Sequence, residues 1–251
     1  MIHVIKIGGG VLENEANRDA FLRQFAAIEG PKVLVHGGGR LATTMADRLG
    51  VQTQMIDGRR VTDQETLNIV TMVYGGLVNK QVVAQLHTMG VNAIGLTGVD
   101  GGWMRSVKRP IKNGIDYGFV GDVTEVNGFY LRMLIGMGLT PVIAPITYSA
   151  EGLLLNTNAD TVASMTAISL EPDVQLTFCF EKAGVLSNPD DESSLIPRIT
   201  RESYSQLKAD GIISGGMIPK IDNAFAAIEH GVQSVSITHA SNLQGGTIIV
   251  E

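Results

Sequence analysis

The run Val4-Ile5-Lys6-Ile7-Gly8-Gly9-Gly10 sets one lysine inside a short apolar strand that breaks into three glycines. A charge in such a strand costs free energy unless it has a partner. Glycines just past a strand let backbone N–H groups come close to an anion. Together they read as a phosphate cradle with its own cation. Val33-Leu34-Val35-His36-Gly37-Gly38-Gly39 is a second strand-to-glycine turn, and it leads directly into a helix. Its N–H groups and the helix N-terminus favour an anion as well. Taken alone, that loop is equally a plain βα turn needing φ > 0. Two such loops on neighbouring parallel strands are better evidence. Gly37-x-Gly39-x-x-Ala42, with Asp57 downstream as a ribose acid, also fits a loose dinucleotide fingerprint, a pattern common by accident.

No Gly-Lys-Ser/Thr follows either glycine loop, so further cations for a phosphate must come from elsewhere. Lys220 is the second candidate, in Gly215-Gly216-Met217-Ile218-Pro219-Lys220. The proline suits a first helical turn. A lysine there opposes the helix dipole unless an anion lies nearby; from this segment alone a solvated surface lysine explains it better. Asn156-Thr157-Asn158-Ala159-Asp160 is more polar than one helix cap requires. If Asn158 caps, Asn156 and Asp160 are left to bind a ligand or orient a lysine, although an Asx turn gives the same composition. Arg60, just before Thr62-Asp63-Gln64-Glu65, could grip a carboxylate with both nitrogens of its fork, or simply be solvated. Glu181-Lys182-Ala183-Gly184-Val185-Leu186 follows a buried strand and falls at a carboxyl edge of the sheet.

The elements that must position these residues read as a parallel α/β protein. Apolar runs of strand length recur at 4–7, 33–35, 93–96, 141–144, 174–178, 235–237 and 247–250, without alternation. That is the pattern of strands covered on both faces. Helix-period segments lie between them at 16–28, 41–49, 129–137, 159–170, 203–210 and 221–230, several closed by glycine. The capping box at Thr62 opens a long apolar stretch to about His87, with Gly75-Gly76 as a weak point, which predicts core or a subunit interface. Two hairpins interrupt the rhythm, 103–109 with 117–126 and 148–150 with 153–155. The fold expected is one three-layer α/β/α sandwich over 1–251, with an open, mainly parallel central sheet and β-hairpins at the substrate end.

Composition narrows the function. With 44% hydrophobic residues a substantial core is possible, and a net charge of −6 without basic blocks excludes a nucleic-acid surface. The single cysteine, Cys179, sits in an apolar run and reads as a core thiol in a reducing, cytoplasmic setting. The five histidines lack metal-ligand spacing, so no zinc site is expected. The longest uncharged run, 133–150, holds two glycines and two prolines and is too broken to span a bilayer.

Taken in order, Ile5-Lys6-Ile7-Gly8-Gly9, Val35-His36-Gly37-Gly38-Gly39, Gly58-Arg59-Arg60-Val61-Thr62, Gly98-Val99-Asp100-Gly101-Gly102, Asn156-Thr157-Asn158-Ala159-Asp160 and Gly215-Gly216-Met217-Ile218-Pro219-Lys220 resemble the amino-acid kinase family along essentially the full chain. Within the family the resemblance is to the branch acting on acylated glutamate. It implies transfer of the γ-phosphoryl of ATP, with Mg²⁺ carried by the nucleotide, to the side-chain carboxylate of N-acetyl- or N-succinyl-glutamate in arginine biosynthesis. By the same resemblance Lys6 and Lys220 would neutralise the moving phosphoryl, and Asp160 would orient both. Gly8, Gly9 and Gly38 would donate N–H groups to phosphate. Arg60 and Asn156, with Gly38 and Gly39, would hold the acceptor. Glu181, Lys182, Gly184, Val185 and Leu186, and Ile212, Ile213, Ser214, Gly216 and Met217, would lie under the nucleotide. An N-terminal lobe over about 1–170 would bind acylglutamate, and a C-terminal lobe over about 171–251 would bind ATP.

Two stretches depart from the family pattern. Glu181-Lys182 replaces its usual Asp-Val pair. The hairpin region 103–118 carries Trp103, Arg105, Lys108, Arg109 and Lys112, extra positive charge that could favour an acyl chain ending in a carboxylate, or could simply be solvated. The chain also starts at its first strand, without the extra N-terminal helix of arginine-inhibited relatives. This predicts a homodimer through 65–87 and no arginine feedback. The rivals are sister kinases for aspartate, glutamate, carbamate or UMP, a non-catalytic sensor, and a dinucleotide-dependent oxidoreductase, the last of which leaves Lys6 and Lys220 without a task.

Overall fold

A computed structural model describes every residue except Asp57, Pro189 and Gly216, with Pro219 described in its backbone only. The strands are β1 (Ile2–Ile7), β2 (Lys32–His36), β3 (Gln54–Ile56), β4 (Arg59–Val61), β5 (Ala93–Leu96), β6 (Met104–Lys108), β7 (Val120–Val126), β8 (Thr140–Ile143), β9 (Ile146–Tyr148), β10 (Leu154–Thr157), β11 (Val174–Phe180), β12 (Arg198–Ile199), β13 (Ser234–His239) and β14 (Thr247–Ile249). The helices are α1 (Gly9–Glu13), α2 (Glu15–Ala27), α3 (Gly39–Arg48), α4 (Gln64–Val70), α5 (Asn79–Thr88), α6 (Gly128–Gly136), α7 (Ala159–Ser169), α8 (Arg201–Ala209) and α9 (Met217–Glu229), with a π-helical segment at Thr71–Val78.

Eight strands form the central sheet, in the order β12-β14-β13-β11-β1-β2-β8-β5. The pairs from β13 through to β5 are parallel, and β14, with β12 parallel to it at the edge, runs antiparallel to β13. Every residue of β2 is buried, as strands with two covered faces require. Val4, Val33, Val35, Leu176 and Phe178 face one apolar cluster, under α7 and α9. Ile5, Ile7 and Leu34 face the other, under α2, α3 and α5. Burying each such side chain stabilises the fold by about 1.5–3 kcal/mol. Cys179 is fully buried here, and burial pushes its thiol up to about 12.

The two hairpins are present, but they do not stand apart. β6 pairs with β7 and β9 with β10, both antiparallel, and the four strands close into a small barrel in the order β10-β7-β6-β9. Closure removes the exposed edges two isolated hairpins would leave. Trp103 lies just before β6 and is buried, its indole N–H donating to the Thr97 carbonyl at 2.7 Å.

The 65–87 stretch differs in two ways from its sequence reading. Its cap is Asp63, whose carboxylate accepts from the Thr66 N–H at 2.8 Å, rather than Thr62, which is buried and accepts from Asn156. Gly75-Gly76 does not interrupt the helix; the chain passes through them in the π-helical turn Thr71–Val78. One face of the stretch is core, with Leu67, Ile69, Val70, Val73, Val78, Val82 and Leu86 buried, while Met72 and Leu77 are turned outward. No helix among the described residues is long and apolar enough to cross a membrane.

Candidate active site

The two glycine loops touch. A Cβ on Gly9 would stand 3.0 Å from the Gly38 nitrogen, and one on Gly37 would stand 3.2 Å from the Gly9 nitrogen. None of Gly8, Gly9, Gly10, Gly37, Gly38 and Gly39 has left-handed backbone; close backbone approach is what favours glycine at Gly9 and Gly37, and side chains crowd Gly10 and Gly38. Gly38 caps α3, whose opening N–H groups have no acceptor within the helix. The Gly8 N–H is already committed, donating to the Cys179 carbonyl at 3.2 Å.

Lys6, Asp160 and Lys220 meet at the carboxyl end of β1. Lys6 pairs in register with Val35 and Phe178, on the sheet face that α7 and α9 cover. Asp160 is in the first turn of α7, which Asn158 caps by accepting from the Asp160 and Thr161 N–H groups at 2.9 and 3.1 Å. Lys220 is in the first turn of α9, and α9 packs beside α7. The Lys6 ammonium lies 2.8 Å from Asp160 Oδ1, and Lys220 donates to Oδ2 at 3.1 Å.

These groups are nearly dry, with side-chain exposures of 8% for Lys6, 13% for Asp160 and 24% for Lys220. Burial pushes the Asp160 carboxyl up, but the two ammonium groups outweigh it and hold it below the usual carboxylate range. Burial, with Lys6 nearby, lowers Lys220 below the ordinary lysine value despite Asp160. Two positive charges around one negative leave the centre with net positive charge, which attracts anions.

A cavity of about 220 Å³ is lined by Gly37, Gly38, Gly39, Arg60, Tyr74, Arg109 and Asn156, among others, and reaches Asn158 and Ala159, the two residues before Asp160. Arg60 donates to the Gly39 carbonyl at 2.8 Å and to Thr43 Oγ1 at 2.7 Å, so it braces the second glycine loop. Asn156 donates to Thr62 Oγ1 at 3.0 Å. Arg109 makes a forked pair with Asp122, at 2.5 to 3.2 Å. The cavity is thus lined by three guanidinium groups, of Arg59, Arg60 and Arg109, and by the amides of Asn156 and Asn158, a set that suits carboxylate or phosphate oxygens.

The sequence pattern of the amino acid kinase family matches residues 1–239. The chain belongs to the amino acid kinase family. It is 55% identical to an acetylglutamate kinase of Phocaeicola vulgatus over 98% of this chain and 97% of that one. It is 56% identical to an acetylglutamate kinase of Bacteroides thetaiotaomicron over 96% of this chain and 94% of that one. A crystal structure of smu.665 from Streptococcus mutans superposes with a TM-score of 0.81 at 29% identity, covering 99% of this chain and 98% of that one.

Within this amino acid kinase fold, the remaining residues singled out in the sequence separate into groups. Gly38, Gly39, Arg60 and Asn156 share the cavity. Glu181 is exposed and pairs with Arg40 at 3.2 Å, across Gly10. Val185, Leu186 and Ile213 are core side chains, so any contact they make with a ligand is through backbone. Gly184 is packed tightly, since a Cβ there would meet Leu195 at 2.6 Å and Thr247 at 2.7 Å. Ile212 and Ser214 lead into α9, which Met217 opens, and Gly216 and Asp57 lie outside the described residues. Of the five residues noted in the 103–118 region, Arg109 alone lines the cavity. Trp103 is core, Arg105 pairs with Glu125, and Lys108 lies over Phe119.

Three features were missed in the sequence. Tyr74 packs its ring on Gly38, 2.9 Å from where a Cβ would stand, and is delivered there by the π-helical turn. His36 is wholly buried behind the second glycine loop; its Nδ1–H donates to the Gly37 carbonyl at 2.9 Å, and its Nε2 accepts from Asn79 at 3.1 Å. Burial lowers its pKa to about 4. Phe180 ends β11, with the Lys220 ammonium 3.7 Å and the Lys6 ammonium 4.8 Å from its ring centre. A polar Asn79 amid valines was the available signal for the His36 contact. The alternation Phe178-Cys179-Phe180 was the signal for a second aromatic on the lysine face.

Proposed function

We propose that this chain transfers the γ-phosphoryl group of ATP to the side-chain carboxylate of N-acetylglutamate, giving an acyl phosphate and ADP in arginine biosynthesis. The observation that carries this reading is the Lys6–Asp160–Lys220 centre, in which Asp160 directly follows Asn158 and Ala159 of the cavity that Arg60, Arg109 and Asn156 also line. The acetylglutamate kinases named above support the choice of acceptor.

A carboxylate is ionised near neutral pH, so the acceptor needs no general base. One of its oxygens attacks the γ-phosphorus, a new O–P bond forms, and the bond to the β,γ-bridging oxygen breaks with its electrons leaving on ADP. The difficulty is bringing one anion against another. Fixed positive charge and positioning answer it. Lys6 and Lys220 face the migrating group, and Asp160 sets their spacing. Gly9 and Gly38 offer N–H groups to phosphate oxygens, while Arg60 and Asn156 hold the acceptor. The segments 181–186 and 212–217 flank ATP. Mg²⁺ held by the nucleotide phosphates and water would neutralise further charge; Asp160 is already taken up by two lysines and is not assigned to it. The lobes over about 1–170 and 171–251 supply acceptor and nucleotide sites, respectively, and the chain pairs as a homodimer through 65–87, which light scattering would read as twice the chain mass.

Arg109 favours a second reading of the acyl group. An acyl chain ending in a carboxylate, as in N-succinylglutamate, would share Arg109 with Asp122. ATP-dependent acyl phosphate, trapped with hydroxylamine, tests both readings across N-acetyl-glutamate, N-succinyl-glutamate, glutamate, aspartate and carbamate. Turnover of the N-acylated glutamates alone is expected. A clear preference for acetyl discards the second reading, and turnover of free aspartate or carbamate instead discards both.

A further inference from the structure

The lysine centre holds two ammonium groups against one carboxylate, and in the absence of a phosphate they repel each other. Asp160 alone accounts for one of the two charges. The other neighbour both share is the ring of Phe180, 3.7 Å from Lys220 Nζ and 4.8 Å from Lys6 Nζ. That ring is fixed from behind, since Phe178 stacks near it at 6.3 Å with only 14° between planes, and it packs on the core beneath α7 and α9. An aromatic face carries a negative quadrupole and attracts cations without net charge. A second carboxylate here would attract the lysines more strongly, but it would cancel the field that receives the triphosphate and the acceptor. An aliphatic side chain would fill the space and attract neither lysine.

We propose that Phe180 is a positioning residue, a π platform that gathers Lys6 and Lys220 toward one point while leaving the centre's net positive charge intact. This rests on the phosphoryl-transfer reading for its effect on rate, but not for its effect on the lysines themselves. The charged groups facing the ring are Lys6 from β1, Lys220 from α9 and, through them, Asp160 from α7. Glu181, next in the chain, is drawn away to Arg40.

The test keeps the shape and drains the quadrupole. Phe180 is replaced, in the full chain, by 4-fluoro-, 3,5-difluoro- and 3,4,5-trifluoro-phenylalanine. The platform predicts that log kcat falls stepwise with fluorine number, to about tenfold at three fluorines, with acceptor KM unchanged. Without substrates, NMR titration of the lysine Nζ groups should show the Lys220 pKa dropping by about half a unit or more across the same series. Phe180→Leu should lose more than tenfold in kcat, and Phe180→Tyr or Phe180→Trp should recover most of it. A flat fluorine series in the lysine titration overturns the proposal, even if Phe180→Leu is poorly active or poorly folded, because packing alone then explains the residue. If the parent chain phosphorylates no acceptor, the functional reading fails, and the titration still decides the platform.

Discussion

The lysine centre and the arginine cavity share the start of α7, where Ala159 lines the cavity and Asp160 holds the lysines, yet they are built in opposite ways. Lys6 is on a central strand, and Asp160 and Lys220 open helices packed on that strand's face; the three are held by ion pairs of 2.8 and 3.1 Å in nearly dry surroundings. Arg60 comes from β4 of a separate two-stranded ribbon, and Arg109 follows β6 in the small barrel. Arg60 is spent partly on bracing Gly39, and Arg109 on Asp122. In the function proposed, the contrast teaches that charge for the transition state is anchored in the sheet and its helices, where reorganisation is small. On the same reading, charge that chooses the acceptor sits on peripheral ribbons, which can vary without disturbing the sheet.

The sharpest way to break this contrast is to remove the centre's charges one at a time. Lys6→Ala and Lys220→Ala should each lower kcat by about 10³-fold, about 4 kcal/mol of barrier, with acceptor KM changed only a few fold. Steady-state kinetics would check it, and a loss confined to KM would mean the lysines bind rather than catalyse. A smaller effect separates the cavity's rear support from its front. His36 stays neutral in the folded chain down to about pH 4, while the unfolded chain takes up that proton near 6.5. Stability therefore falls as pH drops through that window, by about 3 kcal/mol in all, and levels off below it. Denaturant titrations of the parent and His36→Gln would show the difference, the variant losing less stability across the window. The smallest effect belongs to the front of the cavity. Arg60→Lys keeps charge but loses the fork, and should raise acceptor KM about tenfold, roughly 1.4 kcal/mol, leaving kcat within a few fold. Equal losses in kcat would place Arg60 with the lysines and erase the contrast.

Much of the centre was legible because its signals are local and chemically expensive. Lys6 inside an apolar strand demands a partner, and Asp160 in a region too polar for one cap offers one. Parallel β1 and β2 put both glycine loops at one edge, as their non-alternating runs implied. The cavity was less legible. Arg109 looked like any hairpin charge until closure of the four-stranded barrel, which no local pattern encodes, brought it beside Asn156. Tyr74 depended on a π-helical turn, and a helix-period reading has no term for one. Gly37 to Gly39 were read as an anion loop or a plain turn, yet Gly37 answers to the backbone of Gly9, nearly thirty residues away, and Gly38 to the ring of Tyr74.

Cys179 lends the molecule one practical property. As the single sulfhydryl, sealed beneath the lysine edge and reluctant to ionise, it should ignore maleimide dyes while the sheet is intact. Labelling would then proceed only as fast as β11 opens, so the chain carries its own clock for breathing of the central sheet, readable by mass without any engineered tag.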